Sequence, residues 1–452
     1  MRSPTARGGR RLHRGLALAL ALVGAGLAAR ARAADPAAGG PPLLEAAERA
    51  TLTAVGIVHE PERVDLQGRA AWLEVESVVA GEGTPGRRVR FAWEELAQGR
   101  PDRFAEGERV LVALAPLPSG SLWHQRFPIV AGVPPVRVVA AGGDAFLRRP
   151  DPVTVDLLTR YLALPAEERG GPPGALALAR LVAGGEPVVA AASLRRLAEL
   201  PGSAAKLGDA GARTLGGALE DAARPRGLRA AIVAFAGDQR VVALRSRLVA
   251  LATPGGELEP EAIAALATLD GGLPADRAEA LLASADPRVR AVAAGLVSGP
   301  KAEQRLAGLL RNDPSAEVRA AAATALLEPG GPGAVGDAAP GLFDRDSTVK
   351  AATAKAMGSL GERAVPTLQQ LTMERSAEEA KGPIAALSLA GMPGARALVE
   401  IASTHPDPAV RTLARFALGS VPSHDRGGAE LDPGSGPAAP SLEPPRAARP
   451  QP

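Results

Sequence analysis

The sequence predicts an α+β multidomain chain: a small β-barrel followed by an all-α superhelical solenoid. Three observations predict it. Seven of the eleven aromatic residues (Trp72, Phe91, Trp93, Phe104, Trp123, Phe127 and Phe146) fall in one segment of alternating apolar and polar residues. From about Val153 the texture changes to Ala, Leu, Arg and Gly at helical spacing. Within that stretch one motif recurs at intervals of about thirty residues, and a period of that size fixes a stacked-repeat architecture. The 452 residues allow roughly three ordinary domains, so core size is not limiting.

The chain opens with Arg2, Arg7, Arg10, Arg11 and Arg14, then an apolar run from Leu16 to Ala29, then Ala31-Arg32-Ala33 before Ala34. Basic, apolar and small-x-small, in that order, is the layout of a secretory signal peptide over residues 1–33. The apolar run is shorter than the roughly 20 residues a membrane span needs. A periplasmic or secreted protein is expected, with no membrane span after signal cleavage. The chain has no cysteine. That excludes disulfides, thiolate catalysis, thiolate zinc sites and a lipid-anchored cysteine. The formal charge is +3, but the leader carries seven of the 52 basic residues and no acid. Removing it leaves 45 basic against 49 acidic groups, a net charge of −4. A mildly acidic chain with 2% aromatics has neither the charge nor the stacking platform for nucleic acid.

Residues 34–49, with the Gly/Pro stretch Ala37 to Pro42, read as a linker. Residues 50–150 read as the barrel. Leu52, Ala54, Gly56 and Val58 share one strand face, and Leu73, Val75, Ser77 and Val79 another. Val89, Phe91 and Trp93 alternate with Arg88, Arg90 and Glu94, and Val110, Val112 and Leu114 make a fourth run. Gly81-Glu82-Gly83 and Pro85-Gly86 supply turns. The segments Val55–Val58, Leu73–Gly81, Gly86–Phe91 and Glu106–Val112 resemble a bacterial exported OB-like barrel, similar in topology to the inhibitor domain of tissue metalloprotease inhibitors. Those inhibitors act through an N-terminal cysteine, which this chain lacks, so inhibition does not carry over.

Residues 153–422 read as the solenoid. Asp286-Pro287-Arg288-Val289-Arg290, Asp313-Pro314-Ser315-Ala316-Glu317-Val318-Arg319, Asp346-Ser347-Thr348-Val349-Lys350 and Asp407-Pro408-Ala409-Val410-Arg411 each open an Ala-Leu stripe. The basic slot advances by 29, 31 and 61 residues, the last step spanning two repeats with a degenerate copy at Ala380-Lys381. Fainter copies lie at Glu186–Val189, Leu228-Arg229 and Glu261–Ile263. The Asp caps a helix and Pro in the first turn loses no needed N–H. Small Ala lets neighbouring helices approach, which reconciles few aromatics with a packed core.

These motifs resemble HEAT-like repeats of the short, phycobilisome-lyase type over roughly residues 155–420. The resemblance implies a structural ladder between neighbouring repeats built from Asp286, Arg290, Asp313, Arg319, Lys350, Asp407 and Arg411. Lys350 departs from Arg, and the copy at 380 lacks its opening Asp-Pro, so a break is expected there. Residues 423–452, rich in Pro, Gly and Ala, read as a disordered tail.

No chemistry emerges from the remaining residues. Of five histidines, His13 leaves with the leader, and His59, His124, His405 and His424 show no metal-ligand spacing. His59 and His124 read as solvated residues at strand ends. Ser203–Lys206 and Ser347–Lys350 spell S-x-x-K but lack the companions an acyl-transfer serine needs. Glu167-Glu168 and Glu378-Glu379 read as solvated pairs. The expectation is therefore no catalytic, cofactor or metal residue, and a non-enzymatic exported scaffold that binds a protein partner of the cell envelope, with no oligomeric state implied. Two further readings stand beside it. One is a lyase, which rests on the resemblance alone. The other is a ligand- or protease-binding module centred on the barrel.

Overall fold

The computed structural model describes residues 43–421, apart from residue 66 and residues 95–102, 119–122, 128–134, 141–144, 298–300 and 329–331. The expected leader and tail fall outside the described residues. The chain divides into two compact units, Met1–Ala278 and Glu279–Pro452.

The first unit contains the barrel. Strands β1 (Leu52–Arg63), β2 (Gly68–Gly81), β3 (Arg88–Glu94), β4 (Arg109–Pro116) and β5 (Arg137–Val139) close in the order β1-β2-β3-β5-β4-β1, and β6 (Phe146–Arg148) pairs with Val110–Val112 of β4 along the same edge as β5. All pairings are antiparallel except β3–β5. This is an OB-like barrel. Irregularities in the β1–β2 register at Thr53/Ala54 and Val55/Gly56 let the long β1 bend around the closure. Gly56 sits where the strands pinch: a Cβ there would lie 2.3 Å from the Glu74 carbonyl oxygen. Inside, Phe91 and Trp93 lie offset at 5.5 Å and Phe104 meets both edge-on, among Leu73, Val75 and Val110. A satellite cluster of Ala70, Ala92, Trp123 and Phe127 packs on the outer face of β2–β3.

Of the expected inward faces, Leu73, Val75, Val79, Phe91 and Trp93 are buried and Ser77 and Val89 half-buried, while Ala70 and Ala92 on the other face are buried under the satellite cluster; β1 and β4 depart further from simple alternation. Thr53 and Val55, like Leu111 and Ala113, are as buried as their neighbours. The reason is cover on the outer side. Residues Leu43–Arg49, expected to be linker, form helix α1, with Leu43, Leu44, Ala46 and Ala47 buried. They pack on β4 and on the first helices of the following array. That array runs α3 (Pro152–Leu162), α5 (Pro172–Gly184), α6 (Pro187–Glu199), α7 (Ser203–Glu220), α8 (Arg226–Asp238) and α10 (Glu259–Asp270), with α4 (Ala166–Arg169) and α9 (Arg245–Leu251) as short pieces, α1 contacting α6, while the short α2 (Trp123–Arg126) lies in the chain between β4 and β5 of the barrel. Glu48 of α1 accepts from Arg196 of α6 at 3.2 Å and from the buried Tyr161 hydroxyl of α3. One apolar core runs without interruption from Leu43 through the barrel to Leu266. A boundary near residue 150 therefore falls inside a single core, because the barrel wall is itself buried by helices.

The second unit is the regular part of the array. Helices α12 (Pro287–Leu296), α14 (Ala316–Leu327), α16 (Ser347–Ser359), α18 (Ala377–Ser388) and α20 (Pro408–Ser420) stack in sequence order as one row. A second row comprises α13 (Ala302–Asn312), α15 (Pro332–Ala338), α17 (Val365–Met373) and α19 (Gly391–Thr404). Helix α11 (Ala275–Leu282) lies at the division between units. The motif valines Val289, Val318, Val349 and Val410 are fully buried, and Ala322, Ala386, Ala395 and Ala414 line the seams between helices. No described helix is long and apolar enough to cross a membrane.

Candidate functional site

The repeat motif gives its acids two different tasks. Asp286, Asp346 and Asp407 are helix caps, accepting from the N–H of Arg288 (2.8 Å), Thr348 (2.7 Å) and Ala409 (2.8 Å). Asp313 lies earlier in its repeat, two residues before the N-cap Ser315. It accepts from the Ser315 N–H at 2.9 Å and faces the preceding repeat.

There Arg290 meets it with a two-pronged fork, both hydrogen bonds 3.0 Å long, while its third nitrogen clamps the carbonyls of Ser284 and Ala285. Arg319 repeats the arrangement. Its fork grips Asp344 with two bonds of 2.8 Å, and its third nitrogen holds the carbonyls of Asp313 and Pro314. The Arg319 and Asp344 side chains are only 5% and 10% exposed. Arg319 holds the Asp344 carboxyl below the usual range. Burial pushes Asp313 the other way, but the Arg290 fork and the Ser315 N–H outweigh it and leave that carboxyl lowered too.

The expected seven-residue ladder is thus two rungs, 290–313 and 319–344. Asp286 and Asp407 serve as caps rather than rungs. Lys350 is exposed, and the acid at the matching place, Glu374, accepts from Gln370 instead. At the degenerate copy Ala380 is buried without charge. The acid slot of the next repeat holds His405, whose Nδ1 accepts from the Asp407 N–H (3.0 Å) while Nε2–H donates to the Thr372 carbonyl (3.2 Å). Arg411 clamps the carbonyls of His405 and Pro406, but its fork meets no carboxylate among the described residues. Asp344 is the rung residue that pattern reading missed. Aligning repeats on the first helical turn, rather than on Asp-Pro, places Asp344 with Asp313.

The other singled-out residues stay apart. His59 lies within β1 rather than at its end, bridging Glu106 (3.0 Å) and Glu74 (3.1 Å) beside Arg88. His124 lies in α2, and His424 falls outside the described residues. Ser203 is buried and donates to Gln239, whereas Ser347 is exposed. Glu167-Glu168 and Glu378-Glu379 are exposed. Among the described residues no group of three His, Asp or Glu side chains is placed to hold a metal ion.

The array does build one ordered surface. Five, nine and thirteen residues after their N-caps, α16, α18 and α20 present Ala351, Lys355 and Ser359, then Lys381, Ala385 and Leu389, then Thr412, Phe416 and Ser420. All nine positions are exposed, on three adjacent helices. Phe416 is 81% exposed and Leu389 55%, with Met373 and Met392 also exposed on α17 and α19. Leu389 and Phe416 exposed on neighbouring helices of one row, with Lys355 and Lys381 among them, are the composition of an interaction surface.

The HEAT-repeat family matches residues 303–390, which covers α13 through α18. Arrays of this kind serve as repeat scaffolds and protein-binding surfaces. Seven chains of solved structures match. One is human deoxyhypusine hydroxylase in complex with glycerol, 19% identical over 55% of this chain and 96% of its own, with a TM-score of 0.22. At that score the two backbones do not superpose, and the likeness carries no functional argument. No curated protein matches the chain.

Proposed function

We propose that the protein is an exported, non-enzymatic scaffold whose HEAT array binds a protein partner in the cell envelope through the ridge formed by α16, α18 and α20. The observation that carries the reading is the three-by-three grid of exposed positions centred on Ala385, with Leu389 and Phe416 as its large apolar side chains. An 81% exposed phenylalanine on a folded helix costs solubility and suits a partner's apolar pocket. Export is supported by the basic-apolar-small leader of residues 1–33. Repeats of the short type, similar to those of phycobilisome lyases, fit the steps of 29 and 31 residues.

The mature protein, cross-linked in envelope extract, should recover a partner that the Leu389→Asp/Phe416→Asp variant does not. Equal recovery by parent and variant would remove the ridge as the binding surface. N-terminal sequencing of the processed protein should begin at Ala34, and a product beginning at Met1 would refute the export reading.

A further inference from the structure

An open cleft of about 320 Å³ lies on the first unit, lined by Asp209, Ala212 and Arg213 of α7, by Arg247 of α9 and by Ala243 just ahead of it. Gly208, at φ 57, interrupts α7, so a fresh helical segment starts at Asp209. Asp209, Arg213, Gly216 and Glu220 follow one another at helical spacing and form one stripe of that segment. The stripe seats Arg247. Glu220 accepts from its Nε at 2.7 Å, and Gly216 leaves room for the guanidinium, which a Cβ at that position would overlap. Arg213 engages only its Nε, on the Asp209 carbonyl at 3.4 Å. The terminal nitrogens of both arginines meet no acceptor among the described residues.

Two guanidinium forks in one cleft select an oxyanion, because each offers paired N–H donors in a fixed plane. The Asp209 carboxylate lines the same cleft and opposes a second negative charge on the ligand. It favours instead a ligand with a single carboxylate and an N–H donor beside it. Next to Arg247, Val242, Ser246 and Val249 recur at spacings of four and three residues, and all three are exposed. That strip offers apolar surface to a side chain attached near the carboxylate. The last residue of a peptide carries all three parts: one carboxylate, its own amide N–H and a side chain.

We propose that this cleft captures the C-terminal carboxylate of an apolar-ended polypeptide. The carboxylate lies between Arg213 and Arg247, the last amide N–H donates to Asp209, and the last side chain lies along Val242 and Val249. A volume of about 320 Å³ holds one terminal residue and no more than a small part of the next. The site is separate from the ridge on α16, α18 and α20 and stands whether or not the ridge binds a partner.

The probes are fluorescein-labelled hexapeptides ending in alanine, valine, leucine or phenylalanine, each made as the free acid and as the C-terminal amide. Fluorescence anisotropy with the full chain should show at least one acid binding about tenfold or more tighter than its amide, the effect of one charge-assisted hydrogen bond. Arg213→Gln/Arg247→Gln should bring that acid down to the affinity of its amide. Gly216→Ala keeps every charge and displaces only the Arg247 guanidinium, so it should also remove most of the preference while circular dichroism matches the parent. Equal binding of acid and amide in all four pairs, a preference that survives both variants, or displacement of the acid by inorganic phosphate at the peptide's own concentration would each overturn the proposal.

Discussion

Arg319 and Arg411 occupy the same slot in their repeats and differ in what they meet. Arg319 is enclosed and fully paired, so Arg319→Ala leaves the buried Asp344 without its cation. Breaking such a pair costs about 3–5 kcal/mol, and chemical denaturation should show that loss. Arg411→Ala removes a partly exposed cation and should cost about 1 kcal/mol or less. Acid stability follows from the same rungs. Asp313 and Asp344 are lowered in the folded state, so their contribution is complete above the unfolded carboxylate range, near about pH 4. It is lost as pH falls through the lower folded values. Asp344→Asn should therefore flatten the loss of stability below about pH 4 in an acid titration followed by circular dichroism. Glu328, at the end of α14, has the opposite sign. Burial pushes its carboxyl up to about 7, and its Oε1 accepts no hydrogen bond among the described residues. The folded state then holds its proton more tightly than the unfolded chain, and stability is lost as pH rises from the unfolded value through 7. Glu328→Gln should stabilise by about 1–2 kcal/mol on the alkaline side of neutrality, allowing for solvent screening, and do little near pH 4, by thermal melts at the two pH values.

At the scale of the element, α12, α14, α16 and α18 are alanine-rich, and that is what lets them stack closely on their neighbours. Ala322 of α14 is fully buried and belongs to the core of the second unit. Ala322→Leu adds volume at a fully buried seam and should cost about 1–3 kcal/mol, measured by urea denaturation. Ala385→Leu, on the exposed ridge of α18, should leave the denaturation midpoint unchanged. The helices of this row are legible in the amino-acid sequence. The Asp cap, the buried Val and the Ala-Leu stripe are local signals within one helical turn or two, and with Asp as the N-cap they place α12, α16 and α20, whereas in α14 the Asp313-Pro314 pair stands ahead of the N-cap Ser315. The seven-residue α1 is not legible in the same way. Its Leu43-Leu44 and Ala46-Ala47 pairs make a helix face only when β4 and α6 are there to cover it.

At the scale of the whole molecule, the barrel does not end where its strands end. Its outer wall is covered by α1 at β4 and by α3 at β2, and Glu48 ties Arg196 across 148 residues of sequence. A fragment of residues 43–150 exposes that wall and should aggregate. Residues 43–278 keep the core whole and should melt in one cooperative transition, as size-exclusion chromatography and calorimetry would show.

The sequence by itself determined the order of the parts, the buried Leu73-Val75 and Phe91-Trp93 positions of β2 and β3, the repeat period and the Asp caps of α12, α16 and α20. Each depends on neighbours a few residues apart, where steric and hydrogen-bonding preferences act directly. The tertiary structure decided which acid each arginine meets, why β1 and β4 are buried on both faces, and that Lys355, Ala385 and Phe416 stand in one row. Those facts depend on which surfaces come together, and burial and charge pairing across tens of residues exist only once the helices have stacked.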